Sequence, residues 1–530
     1  MKSNLFLRLA LLAAILSACA RSDPRQEYLR LRLVDDPATL DPAYIVDVTG
    51  GTLAARLFNG LVRFDHDGKI APAAAEEWTV SEDALIYRFR LRPGLRFHNG
   101  REVKARDFVY SFRRLLDPAV NSPRFRLLDK IKGAEAFRRG ETGEIEGLRS
   151  PADDLLEIEL SEPFGLLLNF LAMPNAAVVP REAVEADPEA FSRRPVGTGP
   201  FFLSEWKHNQ HLLLLRNPDY FLGPPALKGI YYRVIPEEMT ATLEFEKGNF
   251  DLIEIPRAEF EKYTTRLPWK DWVFSRGGLN IYYLGFNCEK PPLNDARVRR
   301  ALNYAIDREK IVERLLQGRA ETAAGPVPGV LWRSGKGTEG YPFDPDQARR
   351  LLIETGLELP LRLELLFRAD RETLSVAEVI QDYLRRVGVE LTLSQREWSA
   401  FLEAVNEGSF DLFYLSWWAD YPDPENFLFP VFYSGNRGPA GNRSLFSDPE
   451  VDGALLAARR AADPAVREKL YLQAAREITA AAPWVFLWHR KNHVIVRPRV
   501  INFCLPLIYN GDDFHAIEVV PASGAPSGRM

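Results

Sequence analysis

The chain has 530 residues, 46% of them hydrophobic and 27% charged, with a formal net charge of −5. That length calls for several domains, and that composition belongs to a globular protein rather than a disordered one. The slightly acidic balance gives nucleic acid or anionic lipid nothing to bind through charge.

The first segment, MKSNLFLRLALLAAILSAC, carries Lys2 and Arg8, with an unbroken apolar run from Leu9 to Leu16. This run is too short to span a bilayer and has the form of a secretory h-region. It ends in Leu16-Ser17-Ala18-Cys19, which resembles the bacterial lipobox, with small residues ahead of a cysteine that receives lipid. Residues 1–18 are therefore expected to be a lipoprotein signal peptide. Cys19 is the expected lipidation site, and residues 19–26 would tether an exported body to the membrane. The other cysteines are Cys288 and Cys504, and the sequence leaves open whether they pair.

Beyond the tether, EYLRLRLV alternates like a strand, with Leu29, Leu31 and Leu33 on one face. LIYRFRLRPGLRF alternates too, broken by the turn pair Pro93-Gly94. ARDFVYSFRRLL reads as a helix, and LLEIELSEPF as a strand ended by Pro163. From Asn294 the grammar changes. NDARVRRALNYAIDREKIVERLLQG has apolar residues at helical spacing, a cap at Asn294 or Asp295 and a stop at Gly318. DPDQARRLLIETG predicts a helix with Asp344 as cap, Pro345 in its first turn and Gly356 as stop. Strand LRLELLF, helix TLSVAEVIQDYLRRVG, strand VELTLSQ, helix SAFLEAVNEG and strand FDLFYLSWW follow in turn. Such alternation predicts an α/β domain with a parallel or mixed sheet. WVFLWHRKNHVIVRP reads as two strands around a polar turn.

Catalytic patterns are scarce. The chain holds neither a G-x-S-x-G elbow nor an H-E-x-x-H helix, and WRSGKGTEG lacks the spacing and the Ser or Thr of a phosphate loop. GTGPF, Gly197 to Phe201, is a tight glycine turn and weak ground for phosphate binding. His489 and His493 stand four apart in a segment that reads as strand, so no metal pair is expected there. His208 and His211 flank a predicted hairpin tip. No cofactor or metal is expected.

One stretch stands out. In WWADYPDPENF, Asp420 follows Trp417 and Trp418 just past the predicted end of a strand, where α/β sheets place their ligand crevices. A carboxylate behind aromatic walls suits a cation.

In order along the chain, TLDPAYIVDVTGGTLAARLFNGLVRFD, LRPGLRFHNGREVKARDFVYSFRRLLDP, GTGPFFLSEW, YYLGFNCEKPPLNDARVRRALNYAIDREKIV and WVFLWHRKNHVIV form a pattern. It resembles the bacterial extracellular solute-binding proteins of peptide ABC transporters, the oligopeptide- and dipeptide-binding family. The resemblance implies an α/β fold of the periplasmic-binding-protein type II, with two hinged lobes and an inserted subdomain in the N-terminal one. Lobe I would comprise residues 27–59, 191–279 and 491–530, the inserted subdomain 60–190 and lobe II 280–490. It implies a peptide ligand, transporter permease subunits driven by a separate ATPase, and a monomer without nucleic-acid partners or turnover.

The family's pattern also suggests ligand-binding residues. In WWADY, Asp420 falls where oligopeptide binders pair with the peptide's α-ammonium group, with Trp417 and Tyr421 beside it. Trp398 aligns with a pocket tryptophan and Tyr110 with a cleft tyrosine. Val48 falls where the backbone hydrogen-bonds the ligand as an added strand. Tyr414 stands where some members carry an Arg for the ligand carboxylate, leaving Lys336, Arg368, Arg371 and Arg437 as candidates. Asn280 and Trp418 replace a cysteine pair that some members form. Alternatives are a nickel complex, haem or oligosaccharide in the same fold, a periplasmic hydrolase, or a structural lipoprotein with an empty cleft.

Overall fold

A computed structural model describes residues 27–335, 337–512 and 514–520. The expected signal peptide, Cys19 and Lys336 lie outside them. Strand β1 (Leu29–Leu33) turns Leu29, Leu31 and Leu33 into the core, as their alternation predicts. On one side it extends through an antiparallel meander of β2 (Phe201–Lys207), β3 (His211–Arg216) and β4 (Gly229–Val234). On its other side lies β5 (Leu252–Glu254), and β1 runs parallel to both β4 and β5. His208 and His211 do flank the hairpin tip between β2 and β3.

The chain then lays down β6 (Val273–Gly277), β7 (Asn280–Phe286), β8 (Ala320–Thr322), β9 (Leu361–Arg368), β10 (Val389–Arg396), β11 (Leu412–Trp418) and β12 (Trp484–Val496). All join one 12-stranded sheet ordered β10-β9-β11-β7-β12-β5-β1-β4-β3-β2, with β6 and β8 also paired to β12. The alternation seen from Asn294 onward matches this mixed part of the sheet: β9 and β10 are parallel, while β7 and β11 are antiparallel. A separate four-stranded antiparallel sheet comprises Ala75–Val80, Ile86–Leu91, Leu155–Glu159 and Leu148–Ala152. The alternating segment forms a strand that ends at Leu91, and the expected break at Pro93-Gly94 follows, with Gly94 at φ +73°.

Two expectations need correction. WVFLWHRKNHVIV is a single 13-residue strand, not two strands around a turn. Its polar centre stays extended because neighbours pair along it: Arg490 opposes Ala320, while Lys491, Asn492 and His493 oppose Gly277, Arg276 and Ser275. The helix expected to reach Gly318 ends at Ala305. Asp307 interrupts it by accepting a hydrogen bond from the Lys310 N–H at 2.9 Å, which starts a new set of turns ending before Gly318. The other helices follow their caps. Asp47, Asp344, Asp370 and Glu397 cap α1 (Val48–Leu57), α2 (Pro345–Glu354), α3 (Arg371–Arg385) and α4 (Trp398–Glu407).

The glycines of GTGPF serve packing. A Cβ at Gly199 would lie 2.3 Å from the Arg56 carbonyl oxygen, and one at Gly197 would lie 1.9 Å from that of Leu57. His98 clamps this turn, accepting from the Gly197 N–H at 3.2 Å and lying 3.0 Å from the Gly199 oxygen. Gly199→Ala is expected to destabilise the fold by about 1–3 kcal/mol through overpacking. Gly143→Ala, where nothing lies within 4 Å, should change stability by less than about 0.5 kcal/mol. Chemical unfolding of the two variants compares them.

Candidate functional site

In β11 the pleat sends successive side chains to opposite faces, so the two tryptophans part company. Trp417 lies opposite Ile281 and Trp418 opposite Asn280. Trp417 packs against the main hydrophobic core and donates its indole N–H to the Asn426 carbonyl at 2.7 Å. Trp418 is 51% exposed and lines a cavity.

The loop behind β11 is built to present one carboxylate. Asp423 and Glu425 are buried. Asp423 accepts hydrogen bonds from Asn169 Nδ2 at 3.0 Å and Arg467 Nη2 at 3.2 Å. Glu425 pairs with Arg459 at 3.1 Å and accepts from the Tyr421 hydroxyl. Burial pushes the Glu425 carboxyl up to about 7 even beside that arginine. Asn426 Oδ1 accepts the Asp420 backbone N–H at 3.2 Å. Asp420 itself has a half-exposed side chain, whose carboxylate accepts no hydrogen bond among the described residues. Its nearest cation is Arg124, at 3.9 Å. Of the three acids in this loop, Asp420 alone has an exposed side chain.

The cavity beside it measures about 580 Å³, within the range of small-molecule sites. Its walls include Val34, Val46, Val48, Leu507, Trp418 and Tyr509. Arg124 Nη2 donates to the Val46 carbonyl at 3.3 Å, which fixes the guanidinium at the rim. Burial, helped by the Asp420 charge, pushes the Tyr509 hydroxyl up to about 12. A second cavity of about 330 Å³ adjoins the first, sharing Arg32, Glu254, Trp418 and Asn492 with it.

The expected site residues are thus only partly assembled. Asp420 and Val48 line the first cavity. Val48, however, opens helix α1, so its backbone belongs to a helical first turn rather than to a strand edge. Trp417, Tyr110, Trp398, Tyr414 and Tyr421 are not among the lining residues of either cavity. Tyr110 sits on the helix Ala105–Leu116 with the Arg181 guanidinium 5.8 Å from its ring. Trp398 is exposed, stacked on Phe401 with Arg368 above it at 5.6 Å. Tyr414 is buried against Tyr282, and Tyr421 is buried against Phe170. Arg371 opens helix α3 and Arg437 pairs with Glu289, both away from the cavities. His489 lies 2.5 Å from the Asn280 carbonyl oxygen and His493 2.7 Å from Ser275 Oγ, so the two serve separate contacts. Cys288 and Cys504 are both free thiols. Arg124 and Tyr509 were not anticipated beside the cavity, and Trp418 was read with Trp417 as an aromatic wall without being named as a binding residue. Trp418 shares its parity with Asp420, a count along the strand that favours it over Trp417.

Residues 69–439 match the family described as "Bacterial extracellular solute-binding proteins, family 5 Middle". The chain belongs to this family. Among family 5 relatives, heme-binding protein A of Haemophilus influenzae is 30% identical over 504 residues, spanning 91% of this chain and 90% of that protein. The periplasmic oligopeptide-binding protein OppA of Escherichia coli is 29% identical over 486 residues, spanning 87% of each. The unliganded open form of the murein tripeptide-binding protein MppA superimposes with a TM-score of 0.82 at 28% identity, covering 94% of this chain and 98% of that one. The fold is that of the type II periplasmic binding proteins, as the resemblance implied.

The two tryptophans should separate experimentally. Trp417→Phe removes a hydrogen bond and is expected to cost about 1 kcal/mol in chemical unfolding. Trp418→Phe, at a half-exposed position, should change stability by less than about 0.5 kcal/mol.

Proposed function

We propose that this family 5 protein is the ligand-capturing component of an ABC importer, that its ligand is a peptide, and that Asp420 receives the peptide's α-ammonium group. The observation that carries this reading is a carboxylate that accepts no hydrogen bond among the described residues, set at the wall of a 580 Å³ cavity behind Trp418. An ammonium group can approach it closely and contribute roughly 1.5–3 kcal/mol per charge-assisted hydrogen bond. Without that cation, closing the cavity would desolvate Asp420 beside Arg124, which is too distant for a hydrogen bond, so the pocket discriminates against uncharged amino ends. Relatives named as oligopeptide- and murein tripeptide-binding proteins support a peptide, and their names as binding proteins support capture without turnover.

In this reading residues 27–59, 191–279 and 491–530 form one lobe, residues 280–490 the other, and 60–190 an inserted subdomain. Ligand draws the lobes together, and the closed form is handed to a permease powered by a separate ATPase. The body is exported and held at the cell envelope by lipid on Cys19. A second reading keeps the fold and exchanges the ligand for haem. The apolar wall of Val34, Val46, Val48 and Leu507 favours it, and one relative is named as a haem binder.

Calorimetry on ligand-stripped protein decides between them. A pool of two- to five-residue peptides is expected to release heat, and the same pool N-acetylated to bind roughly 10- to 100-fold more weakly. Asp420→Asn should abolish that difference. Equal heat from both pools would remove Asp420 from ammonium recognition, while binding of haem alone would favour the second reading. For the tether, Cys19→Ser is expected to move the protein from the membrane fraction into the soluble one, measured by detergent partitioning of cell fractions.

A further inference from the structure

The smaller cavity holds a concentration of positive charge that the ammonium site does not use. Arg257 comes from the turn after β5, Arg319 directly precedes β8, and Arg490 sits at the middle of β12. All three line this cavity of about 330 Å³, together with Arg32 and Lys491. The acids there are fewer: Glu238, Glu254 and Glu372, the last in the first turn of α3. Glu372 serves two of the arginines at once, pairing with Arg490 and lying 3.3 Å from Arg257 Nη1. Lys491 is occupied by Glu321 at 3.1 Å.

Arg319 is the odd one out. Its Nε donates to the Leu316 carbonyl at 3.1 Å, but its buried Nη2 has no hydrogen-bond partner among the described residues. A buried guanidinium nitrogen left unpaired is costly, so this fork is in want of an acceptor. Desolvation lowers its pKa, and Arg257 and Arg490 push in the same direction against Glu372. The neighbouring Arg490 is held rigidly. Its guanidinium lies 4.5 Å over the Tyr282 ring, and Asn280 holds its backbone N–H and carbonyl.

We infer that Arg257, Arg319 and Arg490, counterbalanced by Glu372, form an anion subsite that takes a carboxylate of the bound ligand. Guanidinium forks match carboxylate geometry bidentately. Trp418 lines both cavities, so a ligand with its ammonium at Asp420 continues past this ring toward the arginines. The subsite replaces the expected partners Arg368, Arg371 and Arg437, none of which lines either cavity. As a carboxylate site for a peptide, it rests on the proposed function. The carboxylate belongs either to the peptide's C-terminus or to an acidic side chain.

The test has two arms on ligand-stripped full-length protein. In the first, glutarate, a dicarboxylate without an amino group, is titrated by calorimetry into wild type, Arg319→Gln and Arg257→Gln. Wild type is expected to bind it, and each variant to bind roughly tenfold or more weakly. Arg319 has no side-chain partner among the described residues and Arg257 is nearly half exposed, so neither variant threatens folding. The second arm compares free-amino peptides as acids, as C-terminal amides, and with Glu exchanged for Gln. A loss on amidation that vanishes in Arg319→Gln assigns the C-terminus to the subsite. A loss on the Glu-to-Gln exchange that vanishes there assigns an acidic side chain. Peptides that bind wild type with neither loss overturn the subsite and leave Asp420 standing. Glutarate binding that needs Arg319 without any peptide binding keeps the subsite and overturns the peptide. No binding of either overturns both.

Discussion

The Asn280 side chain is fully buried and devotes its amide to one residue: Nδ2 donates to the Arg490 carbonyl at 3.1 Å, and Oδ1 accepts from the Arg490 N–H at 2.7 Å. Its own carbonyl oxygen lies 2.5 Å from Nδ1 of His489, whose burial lowers its pKa to about 4 and so keeps the ring neutral. This crossing lies where β12 leaves its pairing with β7 and takes up β6 and β5. Both parts of the large sheet therefore meet on one continuous strand. Asn280 is also the cross-strand partner of Trp418, so the same residue sets Arg490 on one neighbour and the aromatic wall on the other. A buried polar side chain with its bonds satisfied confers uniqueness here, because any slip of β12 would leave that amide unpaired.

From that crossing the two cavities acquire opposite characters. The Asp420 side has an apolar wall and an acceptor, and the Arg490 side has guanidinium groups and few acids. Trp418 stands between them and presents its ring to Tyr282 at 6.4 Å in an edge-to-face arrangement. Under the proposed function, an extended ligand running past the ring is oriented by its own charges: reversed, it would place like against like at both ends. Such ordering requires no recognition of side chains, which is the property a binder of varied peptides needs.

Much of the architecture was legible because helix caps and strand alternation are local. Asp344, Asp370 and Glu397 mark helix starts, and Leu29, Leu31 and Leu33 mark a face. What the sequence hid was decided by tertiary partners. HRKN reads as a turn until neighbouring strands supply its hydrogen bonds, and Asp307 reads as a helix interior until it caps a new turn. In FDLFYLSWW nearly every position is apolar, so hydrophobic alternation does not separate the two tryptophans, and only the parity that Trp418 shares with Asp420 marks it as the cavity wall. The place of Asp420 at the cavity wall was legible because it follows a strand. Arg257, Arg319 and Arg490 were not, since they come from three distant segments and share no spacing that a sequence could reveal.

Under the proposed function and the anion subsite inferred from it, both ends of the ligand bear on the conformational equilibrium. Within the anion subsite, Arg257 follows β5 on the β1 side of β12, whereas Glu372 opens α3 beside β9 and β10, and the pair meet at 3.3 Å with both side chains partly exposed. A solvent-accessible pair of that kind contributes little by itself, about 0–1 kcal/mol, so the free protein gains little from holding its two sides together there. Asp420 and Arg124, 3.9 Å apart and also partly exposed, are as weakly joined. Ligand charge changes that balance, because an ammonium beside Asp420 and a carboxylate among the arginines each gain strength as water leaves. A ligand bearing one charge strengthens one contact and leaves the other site paired only with itself. Differential affinity for the closed form is therefore greatest for a molecule carrying both, and only differential affinity can shift the equilibrium.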